Sequence, residues 1–138
     1  MRFETAYITN IGRKKTNQDA FLVIQSQTSE GPVLFAAICD GMGGIQRGEL
    51  ASAEVIRAFD QWFRTDFPKM LAPDVFAEDR LFGEWDGMIQ ALNQSLIGYG
   101  SRQGISLGTT ITAILVVRGR YYIVNVGDSR IYEVAEMG

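Results

Sequence analysis

Histidine is absent from the 138 residues, and there is a single cysteine, Cys39. Without histidine there is no Ser-His-Asp or Cys-His arrangement, no imidazole general base and no His-ligated metal. One cysteine excludes an intrachain disulfide and a multi-thiolate zinc site. A metal would have to be held by oxygen, which selects Mg²⁺, Mn²⁺ or Ca²⁺. Proline is scarce, and Pro32, Pro68 and Pro73 all stand where boundaries are expected. The longest apolar runs, residues 33–39 and 113–117, are far shorter than the roughly 20 residues a membrane helix needs. The start, Met1-Arg2-Phe3-Glu4, has no apolar signal core, so a cytoplasmic location is expected. Positive charge is not in excess. The formal net charge is −3 and the pI near 4.9, which argues against nucleic acid or an anionic membrane as partner.

What remains is an ordinary soluble composition, 46% hydrophobic and 21% charged, with a length that fits one domain over residues 1–138. Residues 3–9 and 20–25 read as strands around a polar, basic turn at 10–18. Residues 33–39 form a continuous apolar run between Gly31-Pro32 and Asp40-Gly41, the pattern of a buried strand. Helical spacing follows over 49–67, with Ala51, Val55, Phe59 and Trp62/Phe63 on one stripe, and Phe67-Pro68 ends it. After a loop at 68–79, with or without a helical turn, a second helix over 81–97 puts Trp85, Ile89, Leu92 and Leu96 on one face. Strands at 109–117 and 121–126 flank a tight turn at Arg118-Gly119-Arg120, and a further strand is expected at 129–134. Strands, then two helices, then strands predict an α+β fold with an antiparallel sheet under a helix pair.

The strongest local feature is Cys39-Asp40-Gly41-Met42-Gly43-Gly44. A carboxylate at the end of a buried strand is rigidly held yet open to solvent, which suits a metal ligand; an Asp-Gly turn that simply ends a strand is the plain alternative. Gly43 and Gly48 have the glycine spacing of a nucleotide phosphate loop, but Glu49-Leu50 stands where Lys and Ser/Thr are required. Cys39 has no base to activate it and reads as a core cysteine. Arg13-Lys14-Lys15 shortly before Asp19 is either a solvated basic turn or a phosphate clamp beside a metal carboxylate. Val126-Gly127-Asp128-Ser129-Arg130 puts an acid at a strand break, where Arg130 could pair with it. Gly108-Thr109-Thr110 suggests close backbone packing and no direct chemistry.

In this order, Asn17-Gln18-Asp19-Ala20, Asp40-Gly41-Met42-Gly43-Gly44, Gly48-Glu49-Leu50-Ala51-Ser52, Gly108-Thr109-Thr110 and Val126-Gly127-Asp128-Ser129-Arg130 resemble the type 2C family of metal-dependent Ser/Thr protein phosphatases, in its bacterial form. The resemblance implies an antiparallel β-sandwich flanked by helix pairs. It implies two Mn²⁺ or Mg²⁺ ions, with a third bound more weakly, and hydrolysis of phosphoserine and phosphothreonine by a metal-activated water. By position, Asp40 matches the bridging ligand, Gly41 a carbonyl ligand, Asp19 an acid of the metal shell and Asp128 the acid of the third ion. Phosphate binding falls to Arg13 or Lys14. The expected partners are phosphorylated proteins, opposite a Ser/Thr kinase.

Three departures qualify that expectation. The family's phosphate-binding arginine falls at Lys14, which would lack the bidentate fork, with Arg13 one residue earlier. Gln18 stands where the family has Glu, so one negative charge is lost. Two further family aspartates would fall beyond Gly138, so the chain is expected to correspond to the N-terminal half to two thirds of such a domain. The sandwich would then be incomplete, metal binding and turnover weak, and open sheet edges at 113–117 or 121–126 would favour homo-oligomers. The rival expectations are a non-catalytic regulatory relative of the same fold and a metal-dependent hydrolase of another class.

Overall fold

A computed structural model describes residues 19–43, 47–71, 76–105 and 107–127. The expectations for residues 3–18 and 129–134, and those for Arg13, Lys14 and Asp128, lie outside these segments. Five strands form a single sheet: β1 Asp19–Thr28, β2 Gly31–Gly43, β3 Leu107–Thr109, β4 Ile111–Val117 and β5 Arg120–Val126. Three helices lie between β2 and β3 in the chain: α1 Arg47–Thr65, α2 Phe67–Met70 and α3 Glu78–Gln103. The sheet order is β1-β2-β4-β5, with β3 also on β2, and every pairing is antiparallel. The fold is therefore α+β, as expected. Among the described residues no helix is long and apolar enough to cross a membrane.

The helices bury one stripe each. On α1, Ala51, Ser52, Val55, Phe59, Trp62 and Phe63 are buried, while Arg57–Glu54 and Arg64–Asp60 ion pairs, at 2.7 and 2.8 Å, line its wet side. Glu49 in the first turn and Arg64 in the last complement the helix dipole. Phe35 of β2 stacks on Phe63 and Phe59, with ring centroids 5.4 and 6.3 Å apart. Trp85 of α3 meets Trp62 edge-on at 5.6 Å, and the Trp62 indole donates to Glu84 at 3.1 Å. This aromatic cluster glues the helix layer to the sheet.

Several expectations change. The run at 33–39 is buried on one side only: Val33, Phe35, Ala37 and Cys39 face the helices, whereas Ile38 is 43% exposed on the opposite face. An unbroken apolar run reports two apolar faces and does not say which is covered. The helical turn allowed for in the 68–79 loop is present as α2, which starts one residue earlier, at Phe67, with Pro68 in its first turn. Helix α3 outlasts its apolar stripe and runs to Gln103, past Gly98 and Gly100. A Cβ on Gly100 would lie 2.5 Å from the Ile105 carbonyl oxygen, so this glycine is the helix's contact with the returning chain. The strand predicted at 109–117 is divided at Thr110 into β3 and β4. Finally, 113–117 is not an open edge, because β4 lies between β2 and β5. The β4–β5 hairpin turns at Arg118 and Gly119, both with positive φ of 53° and 75°, the signature of a type I′ turn.

Candidate functional site

The β1–β2 hairpin brings two acids together. Its register runs from Thr28↔Gly31 at the turn to Asp19↔Asp40 at the far end. Cross-strand partners share a face, with Cβ atoms about 4.5–5.5 Å apart. Asp40 has the same parity on β2 as exposed Ile38, and Asp19 the same parity on β1 as exposed Phe21 and Val23. Both carboxylates therefore stand on the sheet face that the helices do not cover. Both are partly buried, and Oδ1 of Asp19 is shielded from solvent. Gly41 follows as a buried residue paired with Thr109 of β3. The expected site residues Asp19, Asp40 and Gly41 thus meet at one end of the sheet.

Like charges placed directly opposite are unfavourable by themselves. A divalent cation held by both would reverse that sign, and carboxylate with carbonyl oxygen is the donor set that Mg²⁺ and Mn²⁺ accept. The residues present fit such a cation. They form part of a shell, because among the described residues no group of three or more Asp, Glu, His or Cys converges.

Next to the acids lies Cys39, buried on the helix face. Burial away from water pushes its thiol up from 9.0 to about 12, and a hydrogen bond with the Thr109 side chain offsets this only in part. It is a protonated core residue with no nucleophilic role, as the sequence indicates.

Thr110 was missed. It joins the site through its backbone and its hydroxyl: its N–H donates to the Asp40 carbonyl at 3.0 Å, and its Oγ1 accepts from the Asp40 N–H at 2.9 Å. The available signal was a polar Thr-Thr pair opening an otherwise apolar strand.

A family model for protein phosphatase 2C matches residues 9–138. The chain belongs to the protein phosphatase 2C family. A serine/threonine phosphatase of Listeria welshimeri is 30% identical over 127 residues, covering 90% of this chain and 47% of the relative. A crystal structure of a bacterial serine phosphatase variant superposes with a TM-score of 0.69 at 26% identity, covering 94% of this chain and 56% of that one. The catalytic domain of the serine/threonine protein phosphatase PstP, solved with two manganese ions, gives a TM-score of 0.61 at 29% identity over 85% of this chain and 44% of that domain. The chain spans about half the length of the curated 2C relatives it matches.

Proposed function

We propose that the chain acts in the cytoplasm and contributes part of a phosphatase 2C active site that hydrolyses phosphoserine and phosphothreonine in proteins, counteracting a Ser/Thr kinase. The observation that carries this reading is the Asp19↔Asp40 pair on one sheet face, followed by Gly41. Asp40 and Asp19 would hold Mn²⁺ or Mg²⁺ together with the Gly41 carbonyl. A divalent cation there supplies Lewis acidity toward phosphoryl oxygens and lowers the pKa of water. The rigid sheet keeps the two carboxylates aligned, so that the charge they present needs no reorganisation during reaction. Arg13 and Lys14 are assigned to the substrate's phosphoryl oxygens, and Asp128 to a third, weaker ion. The family membership and the manganese-bound relative support this reading. Gln18, which removes one negative charge, favours a second reading: a relative that keeps the fold and binds partners without turnover.

The test is a phosphothreonine-peptide assay with calorimetric Mn²⁺ titration on the longest form that the gene encodes, beside Asp40→Ala. The variant is expected to lose more than about a hundredfold in Mn²⁺ affinity and in kcat/KM, at least the range seen when metal sites lose a supporting group. Activity and affinity within a few-fold of the parent would overturn the assignment of Asp40. Metal binding without turnover in the parent would select the second reading.

A further inference from the structure

The ladder that joins β2 to the strands after α3 keeps one register throughout. Ile38 faces Thr112 and Gly41 faces Thr109, so the same register sets Asp40 opposite Thr110. A regular antiparallel pair of the hydrogen-bonded kind exchanges two N–H···O=C bonds. One of them is present, from the Thr110 N–H to the Asp40 carbonyl at 3.0 Å. The other is replaced. The Asp40 N–H donates to Thr110 Oγ1 at 2.9 Å, and the Thr110 carbonyl accepts instead from the Thr109 hydroxyl at 2.9 Å. A side-chain oxygen has taken a carbonyl's place in the ladder. It has done so at the residue whose carboxylate the sheet delivers to the site.

A second contact holds that hydroxyl in place. Ile111 pairs with Val126, so Gly127 comes next to Thr110 on the far side. A Cβ on Gly127 would lie 2.5 Å from Thr110 Cγ2 and 2.8 Å from its Cβ. Thr110 therefore fills the space that a side chain at 127 would need. It is 4% exposed, and neighbours on both sides restrict its χ1. Asp19, Asp40, Thr110 and Gly127 make one row across the sheet, with Thr110 wedged between the candidate ligand and the chain leading to Asp128.

We propose that Thr110 is a positioning residue for Asp40: its buried hydroxyl fixes the Asp40 backbone, and so the direction in which that carboxylate meets a cation shared with Asp19. This rests on the metal-binding reading above. A valine in its place keeps the volume and the contact with Gly127 and removes only the acceptor. A serine keeps the acceptor and removes the methyl group.

Amide hydrogen exchange of the metal-free protein and calorimetric Mn²⁺ titration, on parent, Thr110→Val and Thr110→Ser, test it. In Thr110→Val the Asp40 amide is expected to exchange roughly tenfold faster, as loss of one hydrogen bond implies. The Phe35 and Ala37 amides of the same strand should stay close to parent rates. Mn²⁺ affinity is expected to fall by about the same factor, with Thr110→Ser restoring most of both. The proposal is overturned if the Asp40 amide and Mn²⁺ affinity are unchanged in Thr110→Val. It is overturned equally if all β2 amides accelerate together, which would mark a merely structural residue. A parent protein that binds no Mn²⁺ at all overturns the metal reading instead, and the exchange rates then still decide whether Thr110 holds Asp40.

Discussion

Tyr121 and Tyr122 are neighbours on β5, chemically identical, and differently placed: Tyr122 is 8% exposed beneath the helices and Tyr121 56% exposed on the other side. The contrast extends across the whole sheet. Toward the helices lie Val33, Phe35, Ala37, Cys39, Ala113 and Leu115, all buried. Away from them lie Phe21, Val23, Ile38 and Ile123, all large, apolar and exposed. Both faces were built from the same kinds of residue, and only the covering layer distinguishes them. The candidate site belongs to the open face, since Asp19 and Asp40 share it with Phe21 and Ile38. Its acids thus stand at the rim of an apolar surface of the kind that in proteins marks a contact with something else.

Substitutions on the two faces should separate sharply. Phe35→Ala empties the centre of the aromatic cluster and should cost about 3–5 kcal/mol in urea unfolding. A loss below about 1 kcal/mol would mean that the helix layer is loosely packed. A pH dependence should come next. The Cys39 thiol is raised from 9.0 to about 12 by burial, so the folded state holds its proton more tightly than the unfolded chain does. The stability this contributes is complete below about pH 9 and fades as the pH rises toward about 12. Cys39→Ala should flatten that part of the unfolding profile, and a thiol reagent at neutral pH should modify native Cys39 only as fast as the protein opens. Rapid modification would show the helix face to be accessible. The smallest effect belongs to the open face. Ile38→Ser should change stability by less than about 1 kcal/mol while lowering the binding of an apolar dye. A loss of several kcal/mol would show that this face is covered in solution.

Much of this was legible beforehand, and the gaps have physical causes. β1, β2, α1, the start of α3 and the β4–β5 hairpin follow from apolar period and from Arg118-Gly119. The end of α3 was missed because Gly98 and Gly100 look like stops when only propensity is weighed. Gly100 leaves room for the Ile105 carbonyl, 2.5 Å from where a Cβ would stand, which no local pattern reveals. The position of β4 depends on which strand it joins, and its own residues are equally apolar at an edge or in the middle. Asp40 and Asp19 stand out by position, one ending a buried strand and the other following a basic turn, and the motif resemblance adds their roles and that of Gly41. Thr110 was passed over because its partner, Asp40, lies 70 residues away in the chain.

The β1–β2 hairpin also works as a ruler. Ten matched pairs run from the turn to the carboxylates, the tenth being Asp19 and Asp40 themselves. The alignment of the two acids is thus written in the lengths of the arms as much as in their residues. Side chains along the arms can change without moving either acid. One residue gained or lost in a single arm would turn one carboxylate toward the helices and leave the other behind, unless a bulge absorbed it. For this hairpin, length carries the chemical information, and composition carries the packing.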